Sequence, residues 1–377
     1  MFRRVHYLFS SCRAYATSPV NGLLVTKRND KAILQFNRPD KLNAQSLEIQ
    51  VALAEHLRDF ESDPNVSAVI IKGRSDVGFS AGGDIVQFAS MLETPEKVDY
   101  FKECGKTFYR GLLRLSEFKK PIVTLADGLC MGGGAAVAFF ASHPVITERT
   151  VFAMPEVFIG FYPNVGANYF IGKLPKNIGM WLGLTGKRFK GSEIMKLGLV
   201  KNFIKSDDIS KLEETIVNLE DTNANNVTKV ISDFQVQPDF SNWTVDLDKI
   251  EKLFNGDSVE EIIDKLRNEN TEFSNNVLKL FETLPPQSLK ITFHLLHFSK
   301  FRNFSPNDAL SADLSFFFNF YGGDKENAHD FREGLRSVLV DRNHKPNWKP
   351  KSLNQVSDDK VISYFTTNVC DVRSNSH

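Results

Sequence analysis

From Leu23 to Phe152, short apolar runs of strand length alternate with longer runs whose apolar residues recur every three or four positions. This alternation constrains the fold more than any other feature. Residues 23–26 and 32–36 read as strands, with Asn29-Asp30 between them as a hairpin turn. Leu47, Val51, Ala54 and Leu57 keep helical spacing, and 68–71 reads as a short buried strand. Val98, Phe101, Phe108, Leu112 and Leu115 form a second helical stripe, followed by a strand at 122–126, an alanine-rich helix, and two short strands around Val145 and Phe152. Strands joined through helices cross over with one hand and build parallel sheets, so the expected class is a layered α/β fold. Past Leu199 the period changes. Segments 211–219, 259–266, 276–284 and 288–298 read as helices, with Pro285-Pro286 separating the last two, so the C-terminal half is expected to be mostly helical.

A chain of 377 residues, 42% of them hydrophobic, can bury one large core or a core with a smaller appended unit. Lys+Arg and Asp+Glu both total 46, which gives no bulk field to gather DNA, RNA or anionic lipid. Cys12, Cys104, Cys130 and Cys370 stand far apart without metal-ligand or redox spacing, so no metal and no disulfide is expected. No apolar stretch approaches the ~20 residues of a membrane helix. The start differs from the rest. Residues 1–29 hold Arg3, Arg4, Arg13, Lys27 and Arg28, several serines and threonines and no acid, the composition of a mitochondrial import signal. Segment 1–18 is read as that leader, with processing near residues 13–17.

Three blocks carry chemistry: FSAGGDI at 79–85, DGLCMGGG at 127–134 and FAMPE at 152–156. Adjacent glycines let backbone turn sharply and let a ligand approach N–H groups. Three glycines opening a helix present N–H groups that have no intrahelical partner. One donor from each loop can hold a carbonyl oxygen as it becomes an oxyanion. Either cluster alone is also what a tight turn needs. Asp84, three residues before Gln87, fits a helix N-cap with a capping box better than a catalytic acid. Glu156 follows Met154-Pro155 among Val151, Phe152, Val157 and Phe158, apolar surroundings that raise a carboxyl pKa toward a useful value.

Together the FSAGGDI, MGGG and MPE blocks resemble the crotonase (enoyl-CoA hydratase/isomerase) superfamily over about residues 23–203. The resemblance implies a spiral β/α core binding acyl-CoA thioesters, in a homo-oligomer, with CoA arriving as part of the substrate and no separate cofactor. It places the oxyanion donors on the N–H groups of Gly83 and Gly133, with Ala81, Gly82, Asp84, Phe108, Gly132 and Asn164 also at the substrate. The organisation expected is a core at 19–205, a helical region at 206–350 covering the active site, and a tail at 351–377. Within the superfamily, FAMPEVFIGFYPNVGANYF, LTGKRFKG and DFREGLRSVLVDRNHKPNWKP resemble the 3-hydroxyisobutyryl-CoA hydrolase family, enzymes of valine breakdown in the mitochondrial matrix. RSVLVDRN also has a plain reading as an amphipathic helix running into a loop.

The resemblance makes Glu156 the group that activates water or attacks the thioester itself. Three positions depart from pattern. Hydratases carry a glutamate two places after the GGG, where this chain has Ala136, which disfavours hydration. The hydrolases carry an aspartate eight residues after the glutamate, where this chain has Asn164, neutral and unable to exchange a proton at ordinary pH. A second family glutamate aligns with Phe108. Two other readings stay open at this point: an acyl-CoA binder or assembly component that kept the fold and lost the reaction, and an enoyl-CoA hydratase or isomerase.

Overall fold

The Asn29-Asp30 turn forms as expected, with Asn29 in the left-handed region at φ 53° and the flanking strands paired antiparallel. In the computed structural model, residues 20–74, 76–322, 328–342, 345–367 and 369–374 are described. The expected leader at 1–18, with Cys12, lies outside them. The strands in chain order are β1 (Leu23–Arg28), β2 (Lys31–Phe36), β3 (Ala68–Gly73), β4 (Gly78–Ser80), β5 (Ile122–Ala126), β6 (Leu129–Met131), β7 (His143–Thr147), β8 (Val151–Ala153), β9 (Phe189–Lys190) and β10 (Asn202–Ile204). One sheet has the order β1-β2-β3-β5-β7-β10 and the other β4-β6-β8-β9. From β2 to β10 the large sheet is parallel. Two units result. The first comprises Met1–Phe152 with Phe189–Asn242, the second Ala153–Arg188 with Trp243–His377.

In the first unit the inner parallel strands β2, β3 and β5 are buried on both faces over most of their length, as parallel crossovers require, whereas the antiparallel edge strand β1 is exposed past Leu23. β5 is buried at every position, and its Thr124 hydroxyl donates to Ala138 O at 3.0 Å. Ile33, Ile70, Val123, Val145 and Ile204 form one core layer with Leu212 and Ile216 of helix Ile209–Val217 and Val227 and Ile231 of helix Ala224–Phe234. Helix Leu47–Ser62 starts where the Ser46 side chain accepts the Ile49 N–H, and buries Leu47, Val51, Ala54 and Leu57. Helix Pro95–Glu117 carries the second expected stripe, with Phe101, Phe108, Leu112 and Leu115 buried.

The second unit is mostly helical, as the sequence predicts. Expected segments 259–266, 276–284 and 288–298 appear as helices Val259–Glu269, Glu272–Thr283 and Pro286–Phe301. Pro286 sits in the first turn of the last, where a missing N–H costs nothing. Helices Pro306–Gly322, His329–Leu335 and Asp358–Thr366 follow, with residues 336–340 as a π-helical turn. Phe316, fully buried, is the hub of an aromatic cluster. Its ring lies 4.4 Å from Tyr162, 4.7 Å from Phe320, 5.3 Å from Phe365 and 5.5 Å from Tyr364, centroid to centroid. Phe316→Ala is expected to cost about 3–5 kcal/mol, read as a lowered midpoint of guanidinium unfolding. No helix among the described residues is long and apolar enough to cross a membrane.

Candidate active site

The two glycine turns of the first unit are neighbours because β4 and β6 run parallel, Gly78 opposite Leu129 and Ser80 opposite Cys130. β4 leads into Ala81, Gly82 and Gly83, and β6 into Gly132 and helix Gly133–Phe140. Gly82 and Gly132 take φ 101° and 49°, conformations that side chains resist. The approach is close. A Cβ on Gly82 would lie 3.4 Å from Gly133 N, and one on Gly133 would lie 3.7 Å from Gly83 N.

Both amides are left unused. Gly133 opens its helix, so its N–H has no carbonyl four residues back. Gln45 bridges to the Gly83 turn by donating its N–H to Gly82 O at 2.7 Å and accepting the Asp84 N–H at 2.8 Å, a pattern that bypasses Gly83 N. Among the described residues neither amide donates to a protein acceptor. Two adjacent donors with no protein acceptor form an anion-binding pair. Beneath them, Ser80 Oγ donates to Asn43 O at 2.8 Å and accepts from Gly82 N at 3.2 Å and Gln45 Nε2 at 3.4 Å. Buried Gln45 keeps an unpartnered Oε1. Packing here is tight. A Cβ on Gly134 would fall 2.6 Å from Ser80 O, so Gly134→Ala is expected to lower stability by about 1–3 kcal/mol through overpacking, with weaker CoA binding, checked by thermal unfolding and calorimetry.

The other expected residues of this unit take defined places. Asp84 is a cap: it accepts the Gln87 N–H at 3.2 Å and pairs with Arg38 at 2.9 Å. The capping box does not close, because Gln87 turns to Leu47 N (2.8 Å) and Glu48 instead. Ala81 N donates to Leu42 O at 3.0 Å. Phe108 is buried on its helix. Burial pushes the Cys130 thiol far up, which removes it as a nucleophile.

In the second unit Pro155 precedes a short turn, Glu156–Ile159, closed by Gly160 at φ 73°. A Cβ on Gly160 would meet Asp330 O at 2.1 Å, so only glycine fits. Glu156 is half-buried as a residue, but its Oε2 is buried and has no hydrogen-bond partner. Burial raises its pKa to about 8; a backbone hydrogen bond works against this, and the charge of Asp313 adds to it. A carboxyl so placed takes a proton readily near neutral pH. Asn164 is half-buried, and its carbonyl accepts the Ala167 N–H at 3.0 Å. Asp313 is a site residue the motifs do not contain. Its signal was its position: one acid on the apolar stripe of Ala309, Leu310, Phe316, Phe317 and Phe320. No group of three His, Cys, Asp or Glu among the described residues could hold a metal ion.

Comparison with known proteins gives a consistent picture. Residues 31–365 match the family described as enoyl-CoA hydratase/isomerase. The chain is similar to "3-hydroxyisobutyryl-CoA hydrolase, mitochondrial" of Xenopus laevis, 35% identical over 353 residues, 92% of this chain and 89% of that one. It is similar to the Homo sapiens protein of the same name at 30% over 374 residues, 97% and 94% of the two chains. Among solved structures it resembles a carnitinyl-CoA dehydratase from Mycobacterium thermoresistibile, with a TM-score of 0.83 and 26% identity, covering 95% of this chain and 100% of that one. It also resembles an enoyl-CoA hydratase from Rhodobacter sphaeroides 2.4.1, with a TM-score of 0.78 and 26% identity, covering 92% and 97%. Matched along most of its length by sequence and by fold, the chain belongs to the enoyl-CoA hydratase/isomerase family.

Proposed function

We propose that this protein hydrolyses 3-hydroxyisobutyryl-CoA to 3-hydroxyisobutyrate and CoA, a step of valine breakdown in the mitochondrial matrix. The amides of Gly83 and Gly133 take the thioester oxygen as negative charge develops on it. Glu156 then either removes a proton from water, whose oxygen bonds the acyl carbon, or bonds that carbon itself to give an anhydride that water opens. In both routes the carbon–sulfur bond breaks, the sulfur leaves as thiolate and takes a proton, and one water is consumed. The reaction asks for no cofactor beyond the CoA of its substrate.

The observation that carries this reading is Glu156, whose buried Oε2 has no hydrogen-bond partner and whose pKa is raised to about 8. The names of the vertebrate relatives support the choice of substrate. Purified protein lacking residues 1–18 is to be given 3-hydroxyisobutyryl-CoA while free thiol is followed. Release above background, abolished with Glu156, is expected; CoA binding without release rejects hydrolysis and leaves a non-catalytic acyl-CoA binder. Asn164→Asp is expected to raise kcat several-fold, because a carboxyl there exchanges a proton with the leaving thiolate and an amide does not. Import directed by residues 1–18 and assembly into a homo-oligomer belong to the same proposal, tested by the location of a leader fusion and by sedimentation.

A further inference from the structure

Helix Pro306–Gly322 contains one acid that no motif of the site includes. Asp313 is fully buried among Ala309, Leu310, Leu314, Phe316 and Phe317. A buried carboxyl needs partners, because losing water costs it several kcal/mol. Both partners come from one turn. Asp313 Oδ2 accepts the Gly166 N–H at 2.6 Å and Oδ1 accepts the Tyr162 O–H at 3.2 Å, so the two bonds bracket Asn164. Between them Val165 is held at φ 54° and Gly166 follows at 77°. A β-branched residue in the left-handed region persists only where its surroundings hold it. The same segment begins at Glu156, whose carbonyl accepts the Phe161 N–H at 3.1 Å. The Tyr162 ring, wholly buried, is packed on Phe316 one turn along the helix from Asp313.

We propose that Asp313 is a positioning residue for the thioester hydrolysis, a carboxyl clamp on turn 162–166 that fixes Asn164. The inference rests on the hydrolase reading and deepens it. The charge of Asp313 reaches Glu156, and two buried carboxyls that feel each other resist ionising together. Burial raises the pKa of Asp313 to about 8 as well, against the pull of its two donors; Glu156 Oε2 has no donor, so of the two Asp313 gives up its proton first, and its charge then holds the proton on Glu156 to higher pH. Helix His329–Leu335 packs on turn Glu156–Ile159 through Gly334 and brings Asp330, which accepts the Lys349 N–H at 2.8 Å, with His329 and the Glu333–Arg336 ion pair at 2.6 Å; Tyr321 lies against Phe161 and Tyr364 against Phe316.

The test uses Asp313→Asn, which keeps an acceptor for Gly166 N–H and a partner for Tyr162 but drops the charge. The Glu156 carboxyl is followed by carbon NMR in glutamate-labelled protein and assigned with Glu156→Gln. In Asp313→Asn it is expected to titrate about one pH unit lower than in the wild type, with CoA affinity within about threefold. In the thiol assay the acid limb of kcat/KM moves the same way, and kcat falls less than about tenfold. Asp313→Ala, which releases the clamp, lowers kcat about 100-fold with KM little changed. An unmoved Glu156 titration in Asp313→Asn overturns the inference, as does a folded Asp313→Ala with kcat within about threefold of wild type. The NMR arm requires no turnover. A wild-type protein that releases no thiol therefore defeats the hydrolase reading alone, while the titration still judges Asp313.

Discussion

Glu156→Gln is expected to cut kcat for thioester hydrolysis by about a thousandfold while leaving CoA affinity within a few-fold of wild type. Glutamine keeps the shape of the side chain and removes its ability to take a proton or to attack. Two pH effects accompany the loss. With a pKa of about 8 in the ligand-free protein, only about a tenth of Glu156 is ionised at pH 7, so wild-type kcat/KM should climb about tenfold on raising the pH and level off above 8 to 9. Stability runs in the opposite direction. The folded state binds the Glu156 proton more tightly than the unfolded chain, whose glutamate titrates near its ordinary value of 4.5, so its contribution is fully present below about 4.5 and declines as pH rises to about 8. Glu156→Gln escapes that decline. Its melting temperature should therefore exceed that of the wild type above neutral pH and approach it in acid, and a scan in which the difference does not grow with pH would mean the carboxyl is not buried in the folded protein.

The parts of this fold legible from sequence are those in which local pattern and global packing agree. β5 is found at the residues its apolar run marks, between a helix and a glycine turn. Helix Leu47–Ser62 begins at a serine cap and carries its stripe inward. Pro285-Pro286 separates two helices because the first proline caps and the second opens the next. Harder to see was β10, three residues long, which earns its place only by pairing with β7. Division into units was also invisible. Phe152 of β8 pairs with Phe189 of β9, and the segment 153–188 between them belongs to the second unit, so the chain leaves one unit and returns without any shift in composition.

The site divides in the same way. Glycine pairs and a proline-ended strand announced the turns, because special backbone conformations restrict residue type. Supporting side chains did not announce themselves. Gln45 and Asn43 lie in a loop whose sequence reads only as polar, yet they hold Ser80 and Gly78 from below. Asp313 reads as a blemish on a helical stripe until its partners in turn 162–166 are known. Polar groups that act through long-range hydrogen bonds have no period for a sequence to display, whereas a buried charge on an apolar face is itself the anomaly worth following.

Gly133→Pro is expected to lower kcat by about 100- to 1,000-fold, the loss of one of two oxyanion donors. The substitution is informative because of where the residue stands. Gly133 is the first residue of its helix, the position at which proline is best tolerated and at which the N–H has no role in the helix. Nor does a Cβ clash there, its nearest neighbours being Gln45 Oε1 at 3.4 Å and Gly83 N at 3.7 Å. Secondary structure and melting temperature should thus change little, while the donor disappears and the ring occupies its direction. Gly133→Ala separates the two effects, since it adds the same Cβ and keeps the N–H; its kcat should stay at least tenfold above that of the proline variant. Equal activities for the two would show that this amide does not bear the developing charge, and would move the search for the second donor away from the opening of the helix.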